Sequence, residues 1–136
     1  MAHISTAEVK EIRSALKEEF GSQFKFSVSR RDRGLAVCVA IMAGDVDFST
    51  LWAGKSETDY GYGHKDINRY HITEENYGEH ADLFKRINKI IQSAPANAEG
   101  GREYFDESDA MTDYFHVAFY YDIHVGKWDR PYIQNT

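Results

Sequence analysis

From Tyr114 to Val125 the chain alternates. Phe115, Val117, Phe119, Tyr121, Ile123 and Val125 fall on one side, and Tyr114, His116, Ala118, Tyr120, Asp122 and His124 on the other. A period of two is the mark of a β-strand with one buried face. A strand with a wholly apolar face cannot stand alone in water; it requires partner strands and a layer that covers it. The opposite face mixes polar and aromatic groups, and function is expected there.

The sequence also supplies the covering layer. Ser5 and Glu8 stand as an S-x-x-E capping box, with Ile4 and Val9 at the positions of a hydrophobic staple. Val9, Ile12, Leu16 and Phe20 then recur at helical spacing, so a helix is predicted over 6–20, with Gly21 as its stop. A second helix is predicted from Thr73 as N-cap, with Glu74 and Glu75 in its first turn. Its buried stripe is Tyr77, Ala81, Phe84, Ile87 and Ile91; Gly78 weakens its start, and Pro95 and Gly100-Gly101 end it.

Between these helices, Phe24–Ser29 alternates and Leu35–Met42 is apolar on both sides, with small Ala36, Cys38 and Ala40 on one of them. The two runs predict an antiparallel hairpin whose tip is Arg30-Arg31-Asp32-Arg33-Gly34, the second run being an interior strand with one side closely covered. Gly44–Lys65 reads as a long loop with a helical turn near Phe48, Leu51 and Trp52. Asp66–Ile72 is a short strand with Ile67 inward, and a last short strand falls at Tyr132–Ile133. The expected fold is α+β: two amphipathic helices packed on one face of a four- to five-stranded, mostly antiparallel sheet, with residues 1–136 as a single domain.

A chain of 136 residues is long enough for one ordinary core. No apolar run approaches the ~20 residues that span a bilayer. The N-terminus lacks the apolar segment of a secretory signal. The lone Cys38 excludes an internal disulfide and fits a reducing cytoplasm, and its apolar neighbours predict a buried, inert thiol. The net charge is −6, from 22 acidic against 16 basic side chains. This balance argues against direct nucleic-acid binding and suits a soluble protein or a basic partner, and the lack of a spanning run leaves no membrane partner expected.

No phosphate-binding glycine loop, nucleophile elbow or zinc-protease motif occurs. His116, Asp122 and His124 share the polar face of the long strand, but His116 is some ~20 Å from Asp122 along an extended chain. A compact site would require His64 or His71 from elsewhere, so no catalytic residue, metal ligand or cofactor is assigned. The acids Glu103, Asp106, Glu107, Asp109 and Asp113 crowd one stretch without the fixed Gly and Glu of a calcium loop. They read as a solvated turn, or as a phosphate mimic for an Arg- and Lys-rich partner. Tyr60 and Tyr62, in the run DYGYGH, are residue types of adaptable binding loops. The candidate partner contacts are therefore Asp106, Glu107, Asp109, Asp113, Tyr60 and Tyr62. Arg30, Arg31 and Arg33 carry the alternative of a nucleic-acid-binding module. Trp128 either clamps the chain end to the core or forms an exposed anchor.

Three segments, TAEVKEIRSALKEEF with FKFSVSRR, GYGHKDINRYHI, and SDAMTDYFHVAFYYDIHVGKWDRPY, resemble the large polyvalent protein-associated domain twenty-nine family of phages and plasmids. Asp109, Thr112, Asp113, Tyr114 and Phe115, with Gly126, Trp128, Asp129 and Pro131, look like that family's C-terminal signature; Val46–Thr58 matches least. The resemblance covers most of the chain. It implies a context of mobile elements that protect incoming DNA, and no catalytic residues. What it suggests is a non-enzymatic inhibitor of a host defence protein or ribonucleoprotein with a basic surface, such as a CRISPR effector or restriction enzyme. The alternative it leaves is an accessory nucleic-acid module; the oligomeric state stays open.

Overall fold

The structure, a computed structural model, describes residues 2–53, 55, 56, 59, 62–106, 117–127 and 129–135. Helix α1 (Thr6–Phe20) forms as its caps require. Ser5 Oγ accepts from Glu8 N at 3.1 Å, Glu8 Oε1 accepts from Ser5 N at 3.0 Å, and Val9, Ile12, Leu16 and Phe20 are buried. Strands β1 (Phe24–Arg31) and β2 (Ala36–Gly44) pair antiparallel as the expected hairpin. Its tip holds Asp32 and Arg33 at φ of 53° and 58°.

The remaining elements are β3 (Lys65–Ile67), the one-turn α2 (Glu74–Tyr77), α3 (Ala81–Ser93), β4 (Tyr120–Val125) and β5 (Ile133–Gln134). The sheet runs β1-β2-β4-β3, with β5 also on β2. β1·β2 and β3·β4 are antiparallel, whereas β2 pairs β4 and β5 in parallel. A parallel pair needs a crossover connection, and the segment carrying α3 supplies it. The class is α+β, with the helices packed against the sheet and Val37, Val39, Ile41, Tyr121, Ile123 and Val125 in the core.

The strand expected over 66–72 covers only Lys65–Ile67, and two larger differences concern the second helix and the long strand. The second helix is broken: Gly78 adopts φ +56°, ends α2, and passes through a 3₁₀ turn before α3 begins. Thr73 still caps, its Oγ1 accepting from Asn76 N at 3.2 Å. The long strand also starts later, at Tyr120. Val117, Ala118 and Phe119 are all buried, so the alternation fails there. The cause is local tethering, not sheet pairing. Val117 bridges Asp106, Ala118 N donates to Phe105 O at 2.9 Å, and Ala118 O accepts from His3 N at 2.9 Å. Tyr114–His116 lie outside the described residues. From Tyr120 onward the period holds, with Tyr121, Ile123 and Val125 inward.

The long loop before β3 is anchored by Phe48, which follows an acid on one side and precedes a short 3₁₀ turn, Ser49–Trp52. Phe48 is 1% exposed and stacks on Phe84 of α3 at 6.0 Å between ring centroids. It meets Tyr132 edge-on at 4.9 Å and His80 at 4.8 Å. Tyr132 ties the chain end down: its N–H donates to Gly63 O at 2.9 Å and its Oη to Val46 O at 2.8 Å. Burial pushes its phenol up to about 12.

Candidate functional site

With helices on one side, the other face of the sheet is free to carry chemistry. Strand register aligns Ser27, Ala40, His124 and Asp66 in one row across β1, β2, β4 and β3. Asp66 and His124 are directly opposed on antiparallel strands, where side chains of a pair project side by side. His64 stands one strand period before Asp66 and so projects to the same side.

A close backbone approach fixes His64 in place. Gly126, immediately after β4, has φ +68° and donates its N–H to Ile41 O at 2.8 Å. Gly63 has φ +73°, and its carbonyl accepts from Tyr132 N. A Cβ on Gly126 would overlap the Gly63 carbonyl and come within 2.8 Å of Tyr132 N. Only glycine allows two chain segments this near. The contact delivers the residue after Gly63 to the end of β4.

The result is a compact group. His124 Nδ1 lies 2.5 Å from Asp66 Oδ1, and His64 Nε2 lies 3.1 Å from the same oxygen. The imidazole centroids are 5.6 Å apart. Both rings are largely covered, while the Asp66 carboxyl is exposed. The group opens into a cavity of about 370 Å³ whose wall also includes Arg31, Cys38, Lys127 and Asp129. Two imidazole nitrogens gathered on one carboxylate oxygen, all within 4.8 Å of one another, are a donor set for a metal ion, or a carboxylate-oriented acid–base pair.

Small residues on this side of β2 leave room for the cavity. Lys127, just past β4, donates from Nζ to Ser27 Oγ on β1 at 2.9 Å, so its chain crosses above β2. Cys38 is 1% exposed beneath this cover. Burial pushes its thiol up, and the nearby Arg31 charge only partly offsets this. The thiol therefore stays protonated at neutral pH and shielded. Native protein is expected to react with a thiol reagent on the order of 100-fold slower than denatured protein, which then titrates one thiol per chain. Immediate stoichiometric labelling of the native protein contradicts this.

Of the residues singled out in the sequence, His64 and His124 come together, and His71 is exposed and apart from them. Asp122 shares the face of His124 and lines a neighbouring recess with Arg69 and Tyr70, of which Asp66 and His124 form the shared wall. His116 lies outside the described residues, as do Tyr60, Glu107, Asp109, Asp113 and Trp128. Asp106 is exposed. Tyr62 is partly buried, edge-on to Trp52 at 6.0 Å, so its ring packs on the core. Arg30 serves the fold: its Nε donates to Ile4 O at 2.7 Å. Arg31 joins the cavity wall and Arg33 is exposed.

Sequence reasoning missed Asp66 and Lys127. The signal for Asp66 was present in His64-Lys65-Asp66, where a short strand with Ile67 inward already turns residues 64 and 66 outward together. Nothing local announced Lys127, because its partner Ser27 is a hundred positions away.

Comparison with family models, with curated proteins and with solved structures finds no match for this chain. Among the described residues no helix is long and apolar enough to cross a membrane.

Proposed function

We propose that this chain is a small, acidic, non-enzymatic protein of a phage or other mobile element, acting in the bacterial cytoplasm. It binds and inhibits a host defence complex of the CRISPR or restriction type. One observation carries the reading. The bridge between Asp106 and Val117, with Ala118 N on Phe105 O, ties together the two ends of the segment containing Glu107, Asp109 and Asp113. The stretch of sequence between those two ends is rich in acids. Carboxylates meet guanidinium and ammonium groups as phosphates do, and steer a positively charged partner into contact. The net charge of −6 and the three-segment resemblance to a family of mobile elements support the same reading. The alternative, a nucleic-acid-binding module, loses one of its three arginines, because Arg30 is engaged with Ile4 and His3.

The test is pull-down from cells carrying a CRISPR or restriction system, with phage or plasmid survival as the functional readout. A stoichiometric complex that competes with DNA is expected. Neutralising Asp106→Asn, Glu107→Gln, Asp109→Asn and Asp113→Asn together is expected to weaken that complex on the order of 100-fold. Circular dichroism of the neutralised chain checks that it remains folded. Undiminished protection by the neutralised chain counts decisively against the proposal.

A further inference from the structure

We propose that His64, Asp66 and His124 bind a divalent first-row transition-metal ion of the zinc class. An open coordination position would face the cavity between Arg31 and Lys127 and take a water or a small anion. This inference stands apart from the acidic segment and depends only on the open face of the sheet.

The donor atoms of the three residues all lie within 4.8 Å of one another. A tetrahedral ion with bonds near 2.0–2.1 Å places its donors about 3.3 Å apart. The His64 Nε2 to Asp66 Oδ1 separation of 3.1 Å is already close to that, and His124 Nδ1 at 2.5 Å has to open by less than a rotamer change. Imidazole nitrogens with one carboxylate select zinc-class ions over magnesium and calcium, which prefer oxygen-only shells. The donors also sit on a frame. Asp66 and His124 are paired across β3 and β4, and His64 follows the Gly63 carbonyl that accepts from Tyr132 N. A site built on strands holds its geometry better than one built on free loops.

Charge decides what the open position accepts. In the cavity wall the carboxylates of Asp66 and Asp129 offset the charges of Arg31 and Lys127. An added divalent ion then leaves the wall strongly positive, which favours an anion as the remaining ligand. The competing explanation is a carboxylate that merely bridges two histidines; it gives no stoichiometric metal binding.

The experiment titrates the full-length, tag-free, chelator-treated protein with Co²⁺ and with Zn²⁺, read by calorimetry and by the visible absorption of Co²⁺. One ion per chain is expected, with the intense absorption of a low-coordinate site, and azide is expected to shift that spectrum. Asp66→Asn and His124→Ala should each weaken binding on the order of 100-fold, with far-ultraviolet circular dichroism unchanged. Wild-type protein that binds neither ion stoichiometrically overturns the proposal, whatever the variants do. Binding undiminished in His124→Ala overturns it as well, and a spectrum that azide leaves unmoved overturns the open position. Failure here leaves the effect of neutralising Asp106 and its neighbours unchanged, so the two readings are refuted separately.

Discussion

Gly126→Ala is expected to destabilise the protein by roughly 3 kcal/mol and to part His64 from His124. Two costs add. At φ +68° an alanine occupies the left-handed region that L side chains avoid. Its Cβ also collides with backbone, the Gly63 carbonyl and Tyr132 N, which cannot turn away as a side-chain tip can. The comparison that isolates the second cost is Gly21→Ala. Gly21 has φ +59°, but nothing lies within 4 Å of its Cβ, so only the conformational cost of about 1 kcal/mol applies. Denaturant melts of the two variants give the difference. Nuclear Overhauser contacts between the two imidazoles, whose centroids are 5.6 Å apart, report the geometry. Equal destabilisation by the two substitutions would show that the close approach does not hold the site together.

Phe48→Ala is expected to cost about 3–5 kcal/mol, a large share of the ~5–15 kcal/mol that holds a domain folded. Phe48 is among the largest fully buried side chains and touches rings from four places in the chain: Phe24, His80, Phe84 and Tyr132. Truncation leaves a cavity among rigid aromatics that collapse poorly. Calorimetry should show the melting temperature falling on the order of 10–20 °C. Leu51→Ala, one turn of chain away and only partly buried, is the control and should cost clearly less. A Phe48→Ala variant that melts with the wild type would mean that the loop before β3 is not docked on α3.

How far these features could be read in advance depended on the range of the interactions that make them. The capping box at Ser5 and Glu8, the stripe of α1 and the hairpin of β1 and β2 all appeared where expected, because each rests on neighbours a few positions apart. The same local reasoning joined α2 and α3, since it weighed Gly78 as a weak point and not as a residue at positive φ. It extended the long strand to Tyr114 because alternation persists in the letters. In the fold, residues 117–119 are pulled off the sheet path by His3 and Phe105, which periodicity cannot register. The site was half legible. His64 and His124 were both noticed, and the requirement that one come from elsewhere was stated, but Asp66 went unassigned.

By itself, then, the sequence determined the α+β class, the helix faces, the buried Cys38 and the acidic balance, all of which follow from spacing and composition. Tertiary structure alone decided that β2 and β4 run parallel, that Phe48 and Tyr132 close the core, and that His64, Asp66 and His124 share one point. For the last of these the physical reason is the contact between Gly63 and Gly126. Two residues without side chains let distant stretches of backbone touch, and no pattern within either stretch encodes the other's position.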